Sequence, residues 1–173
     1  MMQEFVQRVI EIAREQADGV HTAFPGKIIA FDPAKCLATV QPILKYKKPS
    51  GDRLDYPQIY GVPVVFPQGS GQKATIAFPV KAGDYCLCVV SEQALDLWMY
   101  GQDTETDLRH DLTNAVCIPG LFTKPNAVMR DACSSNAIIL DVDGTRVKVA
   151  KNSILLDGNV TVTGTLTYPH DND

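Results

Sequence analysis

The sequence lacks the long apolar run that a membrane-spanning helix needs. None of its hydrophobic stretches approaches ~20 residues. The N-terminus has no basic segment followed by an apolar one, so we expect neither a transmembrane helix nor a Sec-type signal peptide. Basic residues are also in the minority, because 16 Lys and Arg stand against 20 Asp and Glu and give a net charge of −4. This balance argues against a dominant nucleic-acid-binding surface.

Catalytic motifs are missing as well. The three histidines, His21, His110 and His170, lie in three different regions, and no nucleophile elbow, P-loop or paired-carboxylate pattern occurs. His110 and Asp111 are neighbours, but adjacent side chains on a strand point to opposite faces, so we interpret His110 as structural. The segment Gly69–Gly71 lacks the Gly-Lys-Ser/Thr ending of a phosphate loop and is typical of a hairpin tip. We therefore expect no enzymatic activity and no cofactor.

Cysteine is present in an odd number, namely Cys36, Cys86, Cys88, Cys117 and Cys133. Cys86 and Cys88 share one face of a predicted strand, but a C-x-C pair is a poor half of a zinc site, and no second His/Cys pair has matching spacing. We interpret the cysteines as small buried hydrophobic residues and predict no metal site. Reduced thiols without a signal peptide indicate folding in a cytoplasm.

The hydrophobic content of 45% in 173 residues predicts a folded domain with an appendage. Residues 3–17 have the helical spacing of apolar side chains, at Phe5, Val6, Val9 and Ile10, and we assign residues 1–24 to an N-terminal helical segment. The helix either packs on its own domain or contacts a partner or a neighbouring subunit. The sequence leaves both alternatives open.

Short strands separated by turn residues follow over residues 25–122, a pattern typical of a small antiparallel barrel. About five strands are expected, which favours a five-stranded barrel of the OB type over a seven-stranded sandwich. The segment Tyr85–Val90 is apolar on both parities, which predicts a central strand buried on both faces. Residues 123–135, with Pro125 and Asn126, are predicted to be a linker.

The C-terminal residues 136–168 return to strict alternation between apolar and polar side chains. In the ribbon Ser153–Tyr168 the opposite parity is rich in threonine. The fragments Ile139–Asp141 and Leu155–Asp157 each run into an Asp-Gly pair, Asp143–Gly144 and Asp157–Gly158, and these pairs hint at a weak fourteen-residue repeat. Such a ribbon cannot cover its own dry face, so we expect further copies of the chain to cover it. The predicted trimer core comprises Ile138, Leu140, Val142, Ile154, Leu156, Val160, Val162 and Leu166. Residues 169–173 are predicted to be a polar tail.

Four motifs carry a resemblance to a known family: Ile59–Pro67, Phe78–Asp84, Asp96–Trp98 and His110–Leu121. In the order and spacing of these motifs, the sequence resembles the central spike proteins of contractile phage tails and related contractile injection systems. The resemblance covers residues 20–125 well and the C-terminal region by pattern only. It implies an N-terminal OB-fold followed by an intertwined, triple-stranded β-helix in a homotrimer.

The resemblance also implies a function and partners. Such spikes sit at the tail tip or baseplate, are assembled in the bacterial cytoplasm, contact tail hub or tube proteins, and pierce the bacterial envelope mechanically. Many members end in a glycine-rich tip with His-x-His residues that hold iron. Here His170 stands alone between Pro169 and Asp171. We therefore predict no iron site and expect a solvated tail, with either a separate tip-capping protein or a shortened end.

Two other interpretations remain. An OB-fold that binds nucleic acid would need stacking aromatic residues among basic ones, and the cluster Lys45–Lys48 is the one candidate. A generic trimeric tail-fibre or adhesion fragment would also fit the C-terminal pattern. We favour the spike and expect no nucleic acid as a partner.

Overall fold

Apolar residues at helical spacing form the first element of the chain, helix α1, as predicted. A computed structural model describes residues 2–48, 50–102, 107–121 and 124–167. Helix α1 spans Met2–Asp18 and buries none of its side chains. It ends at Gly19, whose N–H donates to the carbonyl oxygen of Glu15 at 3.2 Å. None of the helices in these ranges is long and apolar enough to cross a membrane.

Short elements follow α1, divided by turns and proline-containing loops. In chain order they are β1 (Ala23–Asp32), β2 (Leu37–Pro42), β3 (Lys45–Lys47), β4 (Arg53–Asp55), β5 (Ile59–Pro63), β6 (Gln68–Gly69), β7 (Ala74–Thr75), β8 (Tyr85–Val90), α2 (Asp96–Tyr100), β9 (Ala115–Pro119), α3 (Ala127–Ser135), β10 (Ile138–Val142), β11 (Thr145–Ala150) and β12 (Ser153–Asp157). The protein is therefore mainly β with an N-terminal helix, as predicted.

Five of these strands form one antiparallel sheet in the order β5-β2-β1-β8-β9. A register shift between Ile28 and Ala30 bends β1. The two edge strands approach each other through a parallel bridge between Val64 and Cys117, and the Val65 N–H donates to the Cys117 carbonyl at 2.8 Å. The sheet is thus curled into a half-barrel, with a seam between the end of β5 and β9.

The hydrophobic core lies on the concave face of this sheet. In β2 and β8 every second side chain is buried, as expected for strands with one dry face. The core residues are Phe24, Ile28, Ala38, Val40, Ile59, Val62, Val64, Cys86, Cys88, Val90, Ala115 and Cys117. The prediction that Tyr85–Val90 is buried on both faces is wrong for the single chain, because Leu87 and Val89 remain 37% exposed. No second layer of described residues covers that outer face.

The described residues 124–167 belong to a second compact unit. The segment predicted as a linker contains helix α3, which is capped by the Asn126 side chain accepting from the Val128 N–H at 2.8 Å. The helix stops at Asn136, which adopts a left-handed conformation with φ 47°. Strands β10, β11 and β12 then form an antiparallel meander. Two-residue turns at Asp143–Gly144 and Lys151–Asn152 connect them.

The β-structure that alternation predicted through Tyr168 ends earlier within one chain. Strand β12 stops at Asp157, and residues 158–167 lie outside the strands. A strand is stable only when its backbone N–H and C=O groups are paired. The described part of the chain offers no partner strand for residues 158–167. Tyr168 and the polar tail with His170 lie outside the described residues.

Candidate functional site: the uncovered face of the C-terminal sheet

The register of the meander sorts its side chains onto two chemically different faces. One cross-strand row consists of Ile138, Val149 and Ile154, and the next of Leu140, Val147 and Leu156. Both rows lie on the same face, because the two rows are two residues apart along each strand. This apolar face, defined by these six residues, carries no charged side chain.

The opposite face carries the charges. Arg146 lies between Asp141 and Asp157 in the register, and its Nε donates to the Asp141 carboxylate. Lys148 lies between Ile139 and Leu155 on the same face. The strand register therefore places one aspartate on each side of Arg146.

Helix α3 is joined to the charged face through Asp131. One carboxylate oxygen of Asp131 lies 2.9 Å from Lys148 Nζ, and the other lies 3.5 Å from Arg146 Nη1. The hydrogen bond from Lys148 is the main cause that lowers the pKa of Asp131, and the positive charges of Lys148 and Arg146 act in the same direction. Because the helix occupies the charged side of the sheet, it leaves the apolar face uncovered.

The residues predicted as a trimer core are all exposed in the single chain. Their side chains range from 50% to 71% exposed. Five of them lie on β10 and β12, and the other three, Val160, Val162 and Leu166, lie beyond β12. The structure adds Val147 and Val149 of β11 to the apolar face. The alternation at 146–149 was visible in the sequence, but its assignment to this face needed the strand register.

The fold brings two of the three histidines next to each other, because the backbone N–H of His21 donates to the His110 carbonyl at 3.2 Å. The His21 ring lies 6.2 Å from that of Tyr56, centroid to centroid. The buried Nδ1 of His110 has no hydrogen-bond partner among the described residues. The Asp111 carboxylate accepts instead from the backbone and hydroxyl of Thr113, and these two bonds are the main cause that lowers its pKa. His170 lies outside the described residues.

A group of titratable side chains that the sequence did not predict lies in the half-barrel. The Sγ atoms of Cys86, Cys88 and Cys117 all lie within 4.8 Å of one another and are buried. Hydrogen bonds with Cys117 and then Cys88 lower the pKa of the Cys86 thiol. The pKa values of the Cys88 and Cys117 thiols are raised. In both thiols the main cause is a hydrogen bond within the cluster, and burial raises the pKa further.

Comparison with known proteins places the half-barrel in a family. No curated protein matches the sequence. The family profile of the phage protein Gp138 N-terminal domain matches residues 24–120, from the second residue of β1 to the residue after β9. This match supports a phage structural protein and a component of the virion. Because it covers more than half of the chain, the protein belongs to the family of the phage protein Gp138 N-terminal domain.

Proposed function

We propose that the protein is a homotrimeric spike at the tip of a contractile tail or related injection machine. Its function is mechanical, since the spike is driven through the bacterial envelope when the sheath contracts, and it carries no enzymatic activity. Membership of a phage protein family supports a structural role in the particle. The N-terminal helix would contact the tail hub or a neighbouring subunit, and a separate protein would cap the tip.

The uncovered apolar face of the C-terminal sheet carries this proposal. Contiguous apolar patches on a soluble chain mark interaction surfaces. In three copies around one axis, the apolar faces would meet in a shared dry core and the charged faces with their α3 helices would point outwards. Burial stabilises by about 2 kcal/mol per large apolar side chain, which offsets the entropy lost when the chain is ordered.

The segment 158–167 supports the same arrangement. Val160, Val162 and Leu166 alternate with Thr161, Thr163 and Thr165, yet the segment finds no strand partner in the described part of its own chain. Strands from two neighbouring copies would supply the missing backbone partners and close the open edges. The result is a triple-stranded β-helix over residues 136–168. Its rigidity would come from three chains that share one core.

The half-barrel fits an OB-fold domain at the base of the spike. Its five-stranded sheet and the parallel bridge at the seam match a partly open Greek-key barrel. The nucleic-acid alternative rests on the hairpin β3–β4 with Tyr46. There the Lys45 ammonium is already paired with Asp55 at 3.1 Å, and the whole chain is acidic. We therefore favour a structural OB-fold.

A pair of variants on adjacent residues of β12 tests the shared core. Leu156 lies on the apolar face, and Leu155 lies on the charged face opposite Lys148. Leu156→Asp would place three carboxylates beside one axis, and we expect it to abolish the trimer. Leu155→Asp adds the same charge to the same strand and should leave the trimer intact. Size-exclusion chromatography with light scattering gives the mass of each variant, and a trimer that survives Leu156→Asp would refute the proposed core.

The location in the particle is tested by labelling. Antibodies against the protein, bound to intact virions and viewed by electron microscopy, should decorate the end of the tail. Label on the capsid or along the tail sheath would contradict the proposed location at the tail tip. It would not contradict membership of the phage protein family.

A further inference from the structure

Three cysteines converge in the core of the half-barrel, on two neighbouring strands. Cys86 and Cys88 point inwards from β8, and Cys117 on β9 lies directly opposite Cys88 in the register. All three side chains are fully buried. The Sγ atoms of Cys86 and Cys88 lie 3.9 Å apart, and Cys117 completes a group whose sulfurs all lie within 4.8 Å of one another.

This spacing is close to that of three sulfurs around one metal ion. With a metal–sulfur bond of about 2.3 Å, three ligands in a trigonal plane lie about 4.0 Å from one another. Thiolate ligands select soft ions such as Cu(I) and zinc. We propose that Cys86, Cys88 and Cys117 form a trigonal binding site for one soft metal ion of the Cu(I) class.

The surroundings favour three-coordination over the tetrahedral geometry of zinc. Among the described residues no histidine, aspartate or glutamate joins the three cysteines as a fourth ligand. Structural zinc sites are almost always four-coordinate, so the donor set suits Cu(I) better. Each thiol that becomes a thiolate ligand releases its proton to the solvent, and no electron is transferred when copper is supplied as Cu(I).

The neighbouring strand β1 packs tightly beside the sulfurs. Gly26 lies opposite Cys86 in the register, and a Cβ atom at this position would lie 2.5 Å from Val40 Cγ1, 3.2 Å from the Cys86 Sγ and 3.4 Å from the Cys88 Sγ. The lack of a side chain at Gly26 therefore lets the β1 backbone approach the three-sulfur cluster.

The position of the site in the barrel has a structural consequence. Cys117 belongs both to the sulfur cluster and to the bridge with Val64 that forms the seam. An ion held by Cys86, Cys88 and Cys117 would tie β8 to β9 beside the seam. Because the sulfurs are buried, we expect fast loading during refolding and slow loading of the folded protein.

The test is a competition titration of the full chain, reduced and kept free of oxygen, with Cu(I) in the presence of a chromogenic Cu(I) chelator. We expect one Cu(I) per chain to be withheld from the chelator. Cys88→Ala removes one of the three proposed ligands. We expect it to lower the Cu(I) affinity by more than the roughly 10–100-fold that follows from loss of an outer-shell partner. The matched control is the double variant Cys36→Ala/Cys133→Ala, which removes the two thiols outside the cluster and should retain one Cu(I).

A second measurement covers the case in which Cys88→Ala does not fold. In the unaltered protein refolded with or without Cu(I) and then partly denatured in urea, Cu(I) should slow the alkylation of Cys86, Cys88 and Cys117, as mapped by mass spectrometry, and should leave the alkylation of Cys133 unchanged. Three results would each overturn the proposal: failure of the unaltered protein to withhold Cu(I) from the chelator, loss of the bound Cu(I) in the Cys36→Ala/Cys133→Ala control, or retention of zinc but not Cu(I) by the protein. A Cys88–Cys117 disulfide in the protein isolated without oxidant would overturn it as well.

Discussion

Asn114 shows at the scale of one residue how the loops of the half-barrel are held. It is the one polar residue among the fully buried side chains of the described ranges. Its carboxamide oxygen accepts from the Leu95 N–H at 3.0 Å. Its nitrogen donates to the carbonyls of Gln93 at 2.7 Å and Leu108 at 3.2 Å. One side chain therefore joins the loop before α2 to the loop before β9.

Asn114→Ala should lower the free energy of unfolding by about 1–3 kcal/mol, because it leaves buried backbone groups without partners. The measurement is urea denaturation at one fixed protein concentration, since assembly adds to apparent stability. Gln3→Ala, on the exposed helix α1, removes an amide without this effect and should stay within about 0.5 kcal/mol of the unaltered protein. Equal stability of the two variants would show that Asn114 does not hold the loops.

The sequence alone predicted part of the arrangement of Cys86, Cys88 and Cys117. The spacing of Cys86 and Cys88 placed both thiols on one strand face, as observed. Cys117 is twenty-nine residues further on, and only the register of β8 against β9 brings it opposite Cys88. Such a long-range pairing depends on the whole barrel, and no local pattern encodes it.

Among the elements, α3 is the clearest difference between sequence and structure. Residues 123–135 were interpreted as a linker because they contain Pro125, Asn126 and two serines at 134–135. That interpretation took Asn126 as a loop residue, whereas its side chain caps the N-terminus of α3. The pairing of Asp131 with Lys148 and Arg146 was not predictable, because it depends on where the helix lies on the sheet.

The Asp131 contacts predict a pH dependence for the C-terminal unit. The pKa of Asp131 is lowered below 3.8 in the folded protein, so its stabilising effect is present above pH 3.8 and is lost as the pH falls through the folded-state pKa. We therefore expect the thermal stability of the unaltered protein to fall in this acid range more steeply than that of Asp131→Asn. Melting curves of both proteins measured across the range provide the comparison.

A control separates this effect from general acid denaturation. Asp143→Asn changes an exposed aspartate in the turn between β10 and β11 and should follow the unaltered protein across the whole range. If Asp131→Asn loses thermal stability on acidification as steeply as the unaltered protein and Asp143→Asn, the ion pairs of Asp131 on α3 do not stabilise the C-terminal unit.

At the scale of the molecule, the half-barrel and the C-terminal sheet differ in how far a single chain covers their apolar side chains. The core of the half-barrel is covered within a single chain, whereas the eight residues predicted as a trimer core are at least half exposed. The residues of β10 and β12 that alternation selected share one face in the strand register. Alternation could not show that residues 158–167 lie outside the strands of a single chain, because strand pairing is not encoded locally.

The solution mass of the unaltered protein tests the central claim most directly. Light scattering on the purified full chain should give three times the 18.9 kDa of one subunit. The mass should stay unchanged on dilution, because folding of the shaft and assembly of three chains are expected to be inseparable. A monodisperse species of 18.9 kDa would contradict the account, since the apolar face of the C-terminal sheet would then be stable in water without a partner.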